Sequence, residues 1–96
     1  MGDGRVGYPD TPAAWKQVPS QMRAGRDLSA GDVLVDGSTS TTFPAALIVA
    51  VVRGDGYVTV TARQITDSTW PEDQEPFDFV VHDSEKRLVA VERWAG

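Results

Sequence analysis

The sequence predicts an all-β domain: a five-stranded small barrel with one short helix at its N-terminal end. Three observations lead there. From Leu28 onward the apolar residues recur with a period of two, the pattern of strands that lie with one face on a core. The segments that carry this period are short and are separated by turn residues such as Asp36-Gly37 and Gly54-Asp55-Gly56. The chain has 96 residues, 41% of them hydrophobic, which is one small domain with enough apolar side chains to fold without a disulfide or a metal. Closing short strands into a barrel removes exposed strand edges.

Residues 1–11 hold four Gly or Pro among polar neighbours and are expected to form a loose N-terminal segment ahead of the domain at 12–96. Thr11-Pro12 supplies an N-cap and a proline at the first helical position. Ala13, Ala14, Trp15, Lys16 and Gln17 then suit a helix of one or two turns, until Pro19 stops it. Trp15 and Val18 share a face of that helix, with Met22 following, and the face is expected to pack on the rest of the molecule.

Strand one is read at about 32–35, ended by Asp36-Gly37, and the polar stretch 38–42 is a loop. Strand two runs over about 45–53 and strand three over about 57–64, as a hairpin. Either a two-residue Asp55-Gly56 turn or a three-residue loop at 54–56 closes it, and the two differ by one residue of register, which swaps faces. Strand four covers 77–82, with Phe77, Phe79 and Val81 on one face and Asp78, Val80 and His82 on the other. A turn at 83–86 leads to strand five at 88–93.

The stretch Leu28-Ser29-Ala30-Gly31-Asp32-Val33 resembles the L-x-x-G-D-x-[VL] opening of many SH3-like barrels, in which a Gly-Asp turn delivers an apolar residue into the core before a β meander. The resemblance covers about ten residues plus the strand order, and it implies an SH3-like or related small barrel. The chain is rich in Arg over Lys, lacks Asn, and is short and acidic. In style it is similar to small accessory proteins of actinobacteria and their phages, which implies a phage-encoded modulator or inhibitor of a host protein. Neither resemblance carries catalytic residues.

Several chemistries lack their residues. There is no cysteine, hence no disulfide framework, thiolate nucleophile or Cys-type zinc site, and the reducing cytoplasm is the expected compartment. The N-terminus has no apolar h-region, and the longest apolar run, 43–52, is ten residues, whereas a membrane span needs about 20. No membrane partner is expected. The single histidine, His82, precedes Asp83 and Ser84, but a triad needs three groups converging from separate positions, and a contiguous tripeptide at a turn splays them. Asp73 with Glu75 and Asp83 with Glu85 read as surface charge, since paired-carboxylate hydrolysis needs a cleft between the two groups. Gly54-Asp55-Gly56 matches neither a dinucleotide fingerprint nor a P-loop, and no calcium-loop spacing occurs. No cofactor, metal or catalytic residue is therefore expected, and a ligand-binding or minor enzymatic domain ranks third.

Nucleic-acid binding ranks second. Arg53, Tyr57 and Arg63 share a face under the three-residue turn, and Arg87 and Arg93 share a face of strand five. Nine basic residues are nonetheless opposed by fourteen acidic ones, for a net charge of −5, and this repels phosphate.

Charge distribution points instead to a protein partner. Residues 67–85 hold seven acids (Asp67, Glu72, Asp73, Glu75, Asp78, Asp83 and Glu85) and no Lys or Arg, so the segment carries −7 and the remaining chain +2. Trp70 and Pro71 lie among these acids, and tryptophan is enriched among residues that dominate interface energies. Trp70, Glu72, Asp73 and Glu75 are the candidate contact residues of a non-catalytic interaction module with a basic partner. The competing reading has Trp70 plugging one end of the barrel. Strand two, Ala46-Leu47-Ile48-Val49-Ala50-Val51-Val52, is apolar on both faces, so its outer face needs a cover. The N-terminal helix with Trp15, Val18 and Met22 is the economical cover. A homodimer through the outer face of residues 47–52, or a host protein, is the alternative.

Overall fold

The computed structural model describes residues 15, 18–35, 45–65 and 70–92. Six antiparallel strands form one sheet: β1 (Ser20–Ala24), β2 (Val33–Leu34), β3 (Ala45–Arg53), β4 (Tyr57–Ile65), β5 (Pro76–His82) and β6 (Lys86–Ala90), in the order β1-β6-β2-β3-β4-β5. Short 3-10 turns at Gly25–Asp27 and Pro71–Asp73 follow β1 and precede β5. The chain is thus mainly β, as its period of two predicts.

The topology forces the sheet to curl. Four strand spacings separate β5 from β6 in the sheet order, which in a flat sheet is about 19 Å. Only residues 83–85 connect them, and four peptide steps reach at most about 14 Å. The two strands therefore approach each other across a concave face, and the Arg87 guanidinium lies over the Phe79 ring at 5.5 Å. The result is a half-barrel. At one end the Gly25–Asp27 turn draws the edges together: Gly25 N–H donates to Glu85 C=O (2.8 Å), and Arg26 N–H to Asp83 C=O (3.2 Å). A Cβ on Gly25 would run into the His82 carbonyl oxygen, so only glycine allows this approach.

The concave face carries the main core, built from Leu28, Leu34, Ala46, Ile48, Val58, Val60, Ala62, Val81 and Val89. Each fully buried Val, Leu or Ile contributes roughly 1.5–3 kcal/mol relative to exposure. Among the described residues, the convex face carries a second cluster at one end, where Trp15, Val33, Ala45, Leu47, Ile65 and Ala90 pack with the partly buried Val18, Val35 and Trp70.

The stretch that resembles an SH3-like opening has a clear local cause. Ser29, Ala30, Gly31 and Asp32 form a turn closed by Asp32 N–H donating to Ser29 C=O (3.1 Å), with Gly31 at φ 97° in the third position. That is the geometry of a type II turn, which requires a residue tolerant of positive φ there. The buried Asp32 carboxylate accepts the Ser29 N–H at 2.9 Å and pairs with Arg23 at 3.6 Å. Leu28 and Val33, on either side, are both fully buried, one in each cluster.

The β3–β4 hairpin settles on the two-residue turn. Arg53 stands opposite Val58, and Gly54 N–H donates to Tyr57 C=O at 2.8 Å, leaving Asp55-Gly56 as the loop with Gly56 at φ 87°. Between Ile48 and Ala50 the register slips by one residue, a β-bulge in β3.

Four expectations change. There are six strands, not five, because Ser20–Ala24 pairs with β6. Its sequence, Ser-Gln-Met-Arg-Ala, has no apolar alternation, since an edge strand is specified by its partner more than by its own buried face. The last strand starts earlier than expected, at Lys86 rather than residue 88, because Lys86 and Arg87 pair with Ala24 and Arg23. The short N-terminal helix is not borne out. No α-helix occurs among the described residues, and Val18 N–H donates to Trp15 C=O at 3.3 Å ahead of Pro19. Met22 is 58% exposed and takes no part in the convex cover. The loose segment at 1–11, most of the predicted helix, the loop at 38–42, Asp67 and Arg93 lie outside the described residues.

Candidate protein-interaction surface

The four candidate contact residues lie on and around the 3-10 turn Pro71–Asp73. Proline at the first position presets φ, Asp73 N–H donates to Trp70 C=O (3.0 Å), and Gln74 N–H donates to Pro71 C=O (3.0 Å). Pro71 is buried, and the Arg63 guanidinium on β4 donates to Gln74 C=O at 2.8 Å, which ties the turn to the sheet. On this mount Trp70 is half-buried against the convex cluster that includes Trp15, while Glu72, Asp73 and Glu75 are exposed. Among the described residues no ion pair involves Asp73, Glu75 or Asp78. Trp70 is thus packed on the protein and still partly exposed, just ahead of the exposed Glu72 and Asp73 in the chain.

At the other end of the acidic segment arginines bind one carboxylate and one backbone carbonyl. Glu85 pairs with Arg87 at 3.0 Å, and the Arg26 side chain donates to Asp83 C=O at 3.2 Å. Among the described residues, Asp73, Glu75 and Asp78 are acids of this segment without an ion pair, and Asp78 accepts the Thr61 hydroxyl at 2.6 Å.

Beyond the bulge, toward the far end of the strands from this turn, the convex face of β3, β4 and β5 is exposed. Val52, Thr59 and Val80 form one cross-strand row, with Val52 67% and Val80 57% exposed, and Val49 and Tyr57 extend it. Sequence reasoning located the outer face of residues 47–52 but missed Val80 and Tyr57. The signal for Val80 was available, since it sits on the face of β5 opposite Phe77, Phe79 and Val81.

The arginine patch of the nucleic-acid reading comes apart. With the two-residue turn, Arg53 stands opposite the buried Val58 on the concave side, while Tyr57 and Arg63 fall on the convex side. Arg53 donates to the carbonyls of Arg26 (2.6 Å) and Leu28 (2.9 Å), and Arg63 to that of Gln74, so both guanidinium groups are occupied in holding loops. His82 lies exposed at the end of β5, with its backbone N–H donating to Glu85 Oε1 at 3.3 Å. Among the described residues no group of three or more His, Asp or Glu is placed to hold a metal ion, and no helix is long and apolar enough to cross a membrane.

Neither a protein-family model, nor a curated protein, nor a solved structure matches this chain.

Proposed function

We propose that the half-barrel is a non-catalytic protein-interaction module whose contact surface is built from Trp70, Glu72, Asp73 and Glu75 and which takes a basic protein partner. The observation that carries this reading is the mount of Trp70: a large aromatic held half-exposed by a proline-fixed turn, inside a segment of one charge sign. A partly desolvated tryptophan supplies dissociation-controlling contacts, and rim carboxylates steer a basic partner during encounter. Modulation of the partner, the role that the small-accessory-protein style suggests, would follow from occupying its basic surface.

The test uses partners recovered by affinity capture and then purified. Trp70→Ala should raise the dissociation rate strongly, whereas replacing Glu72, Asp73 and Glu75 by Gln or Asn should slow association and flatten its salt dependence. A partner that binds both variants with wild-type kinetics would overturn the assignment.

A further inference from the structure

Among the described residues the sheet ends on β5, and one edge of that strand faces no other strand. The hydrogen-bond phase identifies the groups on this edge. Asp83 N–H donates to Gly56 C=O at 3.1 Å, one step beyond the Tyr57 and His82 pair. In an antiparallel ladder, pairs that exchange bonds alternate with pairs that do not. Phe77, Phe79 and Val81 therefore turn their backbone groups toward β4, and Asp78, Val80 and His82 turn theirs away. His82 fits this phase, since its N–H donates to Glu85 Oε1 and its C=O accepts the Glu85 N–H at 3.0 Å. The outward N–H and C=O groups of Asp78 and Val80, with the Pro76 C=O, meet no hydrogen-bond partner among the described residues.

An open strand edge is a template for another chain, and the flanking side chains select which. An added strand would lay alternate residues beside the half-buried Phe77 and Phe79 on the concave side and beside Asp78 and Val80 on the convex side. Glu72, Asp73 and Glu75 lead into the same edge. A second copy of this chain would bring two acidic segments together, the unpaired Asp73, Glu75 and Asp78 of each included, which like-charge repulsion opposes. A chain bearing Lys or Arg is attracted instead. We infer that the β5 edge binds an extended basic peptide as a seventh strand, with apolar residues over Phe77 and Phe79 and basic residues beside Asp78. This inference rests on the proposed basic partner and names the way that partner is held.

The probe is a capped peptide of alternating Lys and Val, about nine residues long to match one strand, titrated at low salt into the full chain labelled with nitrogen-15. In the free protein the Asp78 and Val80 amides should exchange quickly with solvent. At saturation they should slow about tenfold or more, while Phe77 and Phe79, already in the ladder, change little. Val80→Pro removes an outward donor at an edge position where proline is tolerated, and should weaken binding about tenfold, the worth of one or two backbone hydrogen bonds. Should that variant unfold, a peptide methylated on alternate backbone nitrogens makes the same test on the unaltered protein. Absence of binding at about 1 mM, Asp78 and Val80 amides already protected in the free chain, binding that leaves them fast, or dimerisation through this edge would each overturn the inference. Binding lost in Trp70→Ala but indifferent to Val80→Pro and to methylation would overturn strand addition and keep the Trp70 surface. Binding lost on methylation but indifferent to Trp70→Ala would do the reverse.

Discussion

The two halves of β3 differ more than their sequences do. Ala45, Ala46, Leu47 and Ile48 are all buried, on both faces, whereas Val49, Ala50 and Val52 beyond the bulge are exposed. Composition does not separate them, for both halves are runs of Ala, Val, Leu and Ile. What differs is the cover. The concave core runs under both halves, but on the convex side Trp15, Val18 and Trp70 reach only the first. The bulge sits at the change, where one extra residue bends the strand away from the covered region. An apolar strand face thus reports a need for cover without saying how far the cover extends.

The largest effect should come from removing that cover. Trp15 is the largest fully buried side chain, and Trp15→Ala should cost about 3–5 kcal/mol, a large share of the stability of so small a domain, read as the drop in thermal midpoint. A loss under about 1 kcal/mol would show that the convex cluster is not part of the folded core. Asp32→Ala should follow at about 1–3 kcal/mol, because it leaves the Ser29 N–H and the Arg23 guanidinium without their buried acceptor. Denaturant melts of Asp32→Ala and Asp32→Asn would separate the loss of hydrogen bonding from the loss of charge. Phe79→Ala should cost about 2 kcal/mol, less than for a sealed phenylalanine, since Phe79 is half-buried under Arg87 at the open side of the half-barrel. The smallest change belongs to the bare end, where Val52→Thr and Val80→Thr should each alter stability by no more than about 0.5 kcal/mol. A larger loss in either would mean that this face is covered in solution.

Much of this fold was legible in the residues. The pairing of β3 with β4 around a turn at 54–56 and the shared face of Phe77, Phe79 and Val81 follow from local chemistry and a period of two. The SH3-like resemblance implied the turn at Gly31, and the length of the hairpin turn stayed open. What stayed hidden was set at a distance. β1 carries no pattern of its own and exists because β6 presents a ladder to it. Phe77 and Phe79 lie on the core face but only half-buried, because the depth of a core face depends on how far the sheet closes. Arg53 and Arg63 looked like a cationic patch because their loop-carbonyl acceptors are remote in sequence, 25 to 27 residues away for Arg53. For the candidate surface, the acidic run and Trp70 were visible as composition, whereas the mount that holds Trp70 half-exposed depends on Arg63 reaching Gln74 and on the convex cluster that Trp70 packs against.

Trp15 is sealed in the convex cluster, whereas Trp70 on the acidic turn stays partly exposed. The most direct measurement is the affinity of a purified partner for Trp70→Ala, taken on protein whose thermal melt is recorded in the same preparation. Trp70 is half-buried, so the melt should report a cost of about 1–2 kcal/mol, well below that of Trp15→Ala. Partner affinity should fall by about 2 kcal/mol or more, the scale of a binding hot spot. A Trp70→Ala protein as destabilised as Trp15→Ala, or one that folds and keeps wild-type affinity, would show that Trp70 is not the partner's anchor.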